Sequence, residues 1–162
     1  MMSAMTVASM VLVGCGAKTF VVYSPGENLT SLTKVNESEY VCFSPCGGDD
    51  GRNLFFVVQD KAGFQNIYRK DVPTSMSMSQ ITGGQNFNSA PSYCAATNSL
   101  VFSGKQTGSS VHDIYMVNAT QGGALKQITN TSDYEEFTPC ISGDGSKILY
   151  TKGLRGTDAK SY

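Results

Sequence analysis

Charge, histidine and tryptophan are scarce in this sequence. Asp, Glu, Lys and Arg make up 15% of its 162 residues, against about a quarter in an average soluble domain. Twelve basic residues face 13 acidic ones, for a net charge of −1, so there is no bulk attraction to nucleic acid. The single histidine, His112, is the one candidate base for a triad. It lies in the polar stretch Gly108-Ser109-Ser110-Val111-His112 with no nucleophile signature beside it, and it reads as a solvated loop residue. No glycine-rich turn offers a phosphate cradle. The adjacent carboxylates Asp49-Asp50 and Glu135-Glu136 lack the spacing of a calcium loop, and neighbours on a strand point to opposite faces. No catalytic residue, metal ligand or cofactor site is therefore assigned.

What is present leans toward short strands and polar turns: 17 Gly, 8 Tyr and 8 Phe, with 40% hydrophobic residues overall. The length suits one folded domain. Residues 1–17, MMSAMTVASMVLVGCGA, are uncharged, and Ala4 to Val13 forms a short apolar segment followed by small residues. This is the pattern of a secretory signal, too short and too rich in small polar residues for a spanning helix. Its ending, Leu12-Val13-Gly14-Cys15, resembles the lipobox of bacterial lipoproteins, although no Lys or Arg precedes the apolar segment. The resemblance implies a signal peptide over 1–14, a lipidated N-terminus over 15–18 with Cys15 acylated, and sorting to the outer membrane facing the periplasm, since Gly16 is not the Asp of inner-membrane retention. Acyl chains contribute about 0.8 kcal/mol per buried methylene, enough in sum for permanent anchoring.

Residues 19–162 contain a repeat, and a repeat decides architecture. Asn66-Ile67-Tyr68 is matched by Asp113-Ile114-Tyr115 47 residues later, and Gln80-Ile81-Thr82 by Gln127-Ile128-Thr129 at the same interval. Ser31-Leu32-Thr33 precedes the first Ile-Thr by 49. Apolar runs begin at Leu54, Leu100 and Ile148, and each follows a Pro-containing segment: Tyr40 to Pro45, Ala90 to Cys94, and Phe137 to Ser142. Four strand-sized elements per period of about 47 predict a four-stranded propeller blade. Asp144-Gly145 predicts a two-residue hairpin turn. The Leu54 to Val58 run lacks polar alternation, as a strand covered on both faces requires.

The x-Ile-Thr, Pro-x-x-x-x-Asp-Gly and Ile-Tyr-x-x-Asp/Asn pattern, carried by Gln127 to Thr129, Thr138 to Tyr150 and Asp113 to Asn118, resembles the WD40-like (PD40) repeats of TolB-type β-propellers over roughly residues 20 to 152. The expected fold is thus all-β, a propeller with about three blades covered. Thr19 to Tyr23 and Leu29 to Thr33 read as the last two strands of one blade, and Phe137 to Ser142 with Lys147 to Lys152 as the first two of another. The two halves are expected to combine into a composite blade. Because rings need about four or more blades, the expectation is a piece of a longer reading frame or, less favoured, a homo-oligomer such as two chains completing six blades.

Beyond Cys15, the cysteines Cys42, Cys46, Cys94 and Cys140 permit three pairings. Cys42 and Cys140 read as equivalent positions on the innermost strands, and their redox state stays open. The family resemblance implies a non-catalytic, membrane-anchored scaffold that binds envelope proteins. The alternatives are a fragment of a carbohydrate-active or peptidase-associated propeller, with the catalytic residues elsewhere, and a purely structural lipoprotein or gene fragment.

Overall fold

The structure is a computed structural model, and it describes residues 10–13, 20–23, 40–48, 53–71, 78–120 and 123–155. Every regular element among them is a strand. The first hairpin is β1 (Met10–Val13) with β2 (Phe20–Tyr23). Blade one comprises β3 (Val41–Gly47), β4 (Asn53–Gln59), β5 (Gln65–Asp71) and β6 (Met78–Gln80). Blade two repeats this with β7 (Phe87–Cys94), β8 (Ser99–Lys105), β9 (Asp113–Asn118) and β10 (Lys126–Gln127). A half-blade follows, β11 (Tyr134–Ile141) and β12 (Ile148–Leu154). Neighbours within each blade are antiparallel, and a single parallel bridge, Gln65 to Phe87, joins blade one to blade two. This is the partial β-propeller that the repeat predicted.

The paired motifs recur for a reason visible in the hydrogen bonds. The Thr82 hydroxyl accepts the Ile67 N–H at 2.9 Å, and the Thr129 hydroxyl accepts the Ile114 N–H at 2.8 Å. In return Ile67 O accepts from the N–H groups of Ile81 and Thr82, and Ile114 O from those of Ile128 and Thr129. Ile-Thr therefore closes the outer edge of the Ile-Tyr strand, where a full ladder is absent.

A second device recurs three times. The innermost strand bulges between Phe43 and Cys46, between Ser89 and Ser92, and between Phe137 and Cys140. Ser44, Ala90 and Thr138, each immediately before a proline, adopt φ of +49°, +49° and +48°. Proline cannot donate to the ladder, and the extra residue of a bulge lets it leave the register without an orphaned partner. The registers also correct one equivalence: Cys140 corresponds to Cys46, the first paired residue past the bulge, whereas Cys42 lies before it.

β4 and β8 are buried along five consecutive residues, as expected of strands covered on both faces. Phe55, Val57, Ile67 and Ile81 of blade one pack against Leu100, Phe102, Tyr115 and Val117 of blade two. The Phe55 and Tyr93 rings stand 4.7 Å apart. Cys94 and Val101 pack on Ile141 of the half-blade. Burying each large side chain contributes about 1.5–3 kcal/mol, so the blade junctions are the core.

Near the N-terminus the described residues add a strand pairing beyond those the sequence suggested. Phe20–Tyr23 is a strand as read, but its partner is Met10–Val13, which the sequence placed in a leader. Its register runs from Val13 opposite Phe20 to Met10 opposite Tyr23. β1 lies against β3, and β11–β12 forms a separate two-stranded sheet. The composite blade is not formed among the described residues, since β1–β2 and β11–β12 stand as two separate sheets with no pairing between them. Asp144-Gly145 sits in a hairpin, but the loop has four residues, closed by Ser142 N–H to Lys147 O at 2.9 Å. Asp144 accepts from the Ser142 hydroxyl and from the Ser146 N–H and hydroxyl, which holds its carboxyl down at about 2. Cys15, Asp49, Asp50 and the 29–33 segment lie outside the described residues.

Candidate functional site

The junctions between blades concentrate the buried polar groups. At the first junction, Asn88 Nδ2 donates to Thr82 Oγ1 at 3.0 Å and to Asn66 Oδ1 at 3.4 Å, while Asn66 Nδ2 donates to Gly84 O. Asn88 is fully buried, and Gln106 Nε2 donates to its Oδ1 at 3.0 Å. A cavity of about 150 Å³ adjoins this network, lined by Thr82, Asn86, Asn88, Phe102, Gln106 and Leu125. It is roomy enough for water and has the polar partners water needs.

At the second junction the same register positions carry acids. Asp113 stands 47 residues after Asn66, Thr129 as far after Thr82, and Glu136 on β11 takes the place of Asn88. Asp113 is 3% exposed and accepts from the Thr131 N–H at 3.0 Å and from Gln127 Nε2 at 3.1 Å. Glu136 is 0% exposed, and neither of its carboxylate oxygens receives a hydrogen bond. Its counter-charge is Lys152 Nζ, 3.4 Å away on the paired strand β12, which also sits 4.1 Å from the Tyr134 ring centroid.

His112 does not behave as the free loop residue that the sequence suggested. Its backbone N–H and its Nδ1 both meet Glu135 Oε2 at 2.8 Å, and its carbonyl accepts the Glu136 N–H at 3.0 Å. Its ring lies 4.9 Å from Phe137. Burial pushes the Glu135 carboxyl up, but the His112 backbone and side-chain hydrogen bonds, with the charges of His112 and Lys105, outweigh it and hold the group below its ordinary value. Arg155 adds a bond to Ser110 Oγ at 3.1 Å. His112 is thus the hook by which the half-blade grips blade two. Glu135 and Glu136 do stand as neighbours on a strand; the Glu135 carboxylate and the Glu136 backbone N–H make that grip, while the Glu136 carboxylate faces Lys152 of its own sheet. The 47-residue offset from Asn66 to Asp113 was the signal that could have placed them there.

Chemically the junction is a hydrogen-bonded staple between His112 and Glu135, and among the described residues no hydroxyl or thiol is shown hydrogen-bonded to the His112 ring. Cys94 Sγ donates to Gly143 O at 3.2 Å, joining blade two to the β11–β12 loop. Cys140 is exposed. Among the described residues no group of three His, Cys, Asp or Glu side chains is placed to hold a metal. No helix of the described residues is long and apolar enough to cross a membrane.

Residues 8–156 match the dipeptidyl peptidase IV (DPP IV) N-terminal region. The chain belongs to this family. Among solved structures, TolB from Agrobacterium tumefaciens is similar with a TM-score of 0.76 and 16% identity, over 94% of this chain and 52% of that one. TolB from Acinetobacter baumannii gives 0.68 and 19%, over 93% and 36%. A structure from a study of two prolyl endopeptidases gives 0.57 and 14%, over 83% and 21%. A comparison with curated proteins gives no match. The chain spans about half the length of the Agrobacterium TolB and less of the other two. At these identities the structural likeness carries the propeller fold alone, and this member of the DPP IV N-terminal region family is a partial propeller of that kind.

Proposed function

We propose that this chain is the propeller part of a non-catalytic, protein-binding scaffold of the bacterial cell envelope. The observation that supports it is the likeness to two TolB structures over more than nine-tenths of the chain, joined to blades locked by buried polar junctions. A rigid ring that displays connecting loops suits docking. Surface plasmon resonance on washed outer-membrane and inner-membrane protein extracts tests it: saturable binding, competed by unlabelled chain, is expected. Binding that is absent, or that no excess chain displaces, overturns it.

A second reading is favoured by the match to the DPP IV N-terminal region and by the prolyl endopeptidase neighbour: a propeller that accompanies a peptidase domain. A hydrolase domain encoded in the same reading frame, and peptide cleavage by that longer product, would decide for it. The anchoring proposal belongs with the scaffold. In it, Leu12-Val13-Gly14-Cys15 directs cleavage and acylation of Cys15, with placement in the outer membrane facing the periplasm. It competes with the β1–β2 hairpin, because cleavage ahead of Cys15 would remove β1.

A further inference from the structure

The strand registers place Cys42 of blade one, Asn88 of blade two and Glu136 of the half-blade at one equivalent position, just ahead of the bulge. Their partners on the next strand are Val58, Gly104 and Lys152. Of the three pairs only the middle one lacks a side chain on one strand, and an amide takes the space. A Cβ built on Gly104 would meet Asn88 Oδ1 at 2.7 Å and Gln106 Nε2 at 2.8 Å, so glycine is what lets Gln106 fold back over β8 and donate to Asn88. The cavity of about 150 Å³ beside this pair has two kinds of lining: the uncharged polar side chains of Thr82, Asn86, Asn88 and Gln106, and the apolar ones of Phe102 and Leu125 among others. Asn88 is 0% exposed and Asn86 9%, whereas Leu125 is 48% exposed, so the cavity runs from the core to the surface. Its hydrogen-bonding capacity is only partly used. An amide nitrogen carries two protons, and Asn88 Nδ2 donates twice, to Thr82 Oγ1 and Asn66 Oδ1. Gln106 Nε2 donates to Asn88 Oδ1 and Asn86 Nδ2 to Gly83 O, which leaves each a second proton for an outside acceptor.

We propose that this cavity receives the side chain of a tyrosine presented by the partner protein, an inference that rests on the scaffold reading. Charge decides first. No lining residue is charged, so a carboxylate, ammonium or phosphate entering the cavity would lose its water without gaining a counter-ion. Size decides next. A cavity of about 150 Å³ takes one benzene-sized ring, whereas a hexose is bulkier and would set hydroxyls against Phe102 and Leu125 with nothing to bond. A phenol suits both kinds of lining, with its ring beside Phe102 and its hydroxyl on the free amide protons of Gln106 and Asn86. The Phe102 ring is itself held at 5.9 Å by that of Tyr115, so the aromatic surface is already fixed before a ligand arrives. Tyrosine is among the side chains that most often anchor protein interfaces, set into pockets of this kind.

Titration of the 162-residue chain with N-acetyltyrosine amide and with N-acetylphenylalanine amide, followed through the side-chain amide resonances of Asn86, Asn88 and Gln106, tests the proposal. Saturable shifts of those resonances at about millimolar tyrosine amide are expected. The phenylalanine amide, which lacks only the hydroxyl, is expected to bind about three- to tenfold more weakly. Gln106 is partly exposed and follows the last residue of β8, so Gln106→Leu is expected to keep the wild-type far-UV circular dichroism and to bind the two amides alike. Should that variant not fold, Leu125→Ala at the exposed rim replaces it and is expected to weaken both amides equally. The proposal is overturned by a wild type without saturable shifts, by shifts confined to other residues, by equal binding of the two amides to the wild type, by a Gln106→Leu variant that still prefers tyrosine, or by a Leu125→Ala variant that binds like wild type. Envelope binding that excess N-acetyltyrosine amide leaves untouched overturns the tyrosine and spares the scaffold. Failure of the extracts to bind at all removes the scaffold, while the amide titration still reads the cavity.

Discussion

Gly145 shows how much one residue can carry. Its φ is +73°, and a Cβ built there would meet Thr97 Cγ2 at 2.5 Å and Thr97 Oγ1 at 2.8 Å. The hairpin loop of the half-blade thus rests directly on the turn of blade two. Gly145→Ala combines a left-handed backbone cost of about 1–2 kcal/mol with a steric one. Urea unfolding should show a loss of about 2–3 kcal/mol, whereas Gly143→Ala, with open space around it, should cost far less. Lys152 carries a different burden. Removing one partner of a buried ion pair costs about 3–5 kcal/mol, and because Lys152 is 39% exposed the loss for Lys152→Met should fall nearer 2 kcal/mol. Adding Glu136→Gln should recover about half of it, since the stranded charge is gone. Additive losses in the double-mutant cycle would refute the ion-pair account.

At the level of the elements, the Ile-Thr and Ile-Tyr pair was readable in the sequence as a repeat, but its physics was not. Only the coordinates show Thr82 Oγ1 and Thr129 Oγ1 accepting the isoleucine N–H groups. Thr129→Val leaves the Ile114 N–H without an acceptor and should cost about 1–3 kcal/mol. Thr82→Val should cost more, because Asn88 Nδ2 also donates to that hydroxyl, and equal losses would show that the amide network adds nothing. The bulge before each proline was illegible, since Ser44, Ala90 and Thr138 share no side-chain type that announces a positive φ. His112 escaped for a related reason: its partner lies 23 residues away on β11, and no local pattern encodes a contact between blades. The junction it makes should be acid-sensitive. The Glu135 carboxyl is held below its ordinary value of 4.5, so the native state favours its charged form. Its contribution is complete above that value and fades as pH falls through the lower native one. Between pH 6 and pH 3 the wild-type midpoint should therefore drop more steeply than that of Glu135→Gln; parallel curves would exclude the hook as a source of acid lability.

For the whole molecule, composition and spacing were enough to give a propeller of four-stranded units, because a repeated hydrophobic period is a global signal that local exceptions barely disturb. At the N-terminus they admit two readings, because an uncharged apolar run fits both a secretory segment and a β-strand. Met10 to Val13 has the length and composition of either. In the structure Met10–Val13 pairs with Phe20–Tyr23, from Val13 opposite Phe20 to Met10 opposite Tyr23, and cleavage ahead of Cys15 would remove that partner. The family match also begins at residue 8, ahead of β1. The proposed cleavage and acylation predict that the mature protein isolated from its native cell starts at Cys15 and lacks peptides spanning Met10 to Val13, and that Cys15→Ser shifts it from the membrane to the soluble fraction. Peptides spanning Met10 to Val13 in the mature protein, or unchanged fractionation of Cys15→Ser, would refute the anchor and show that β1 is retained. Where β1 is discarded, β2 loses its only antiparallel partner among the described strands.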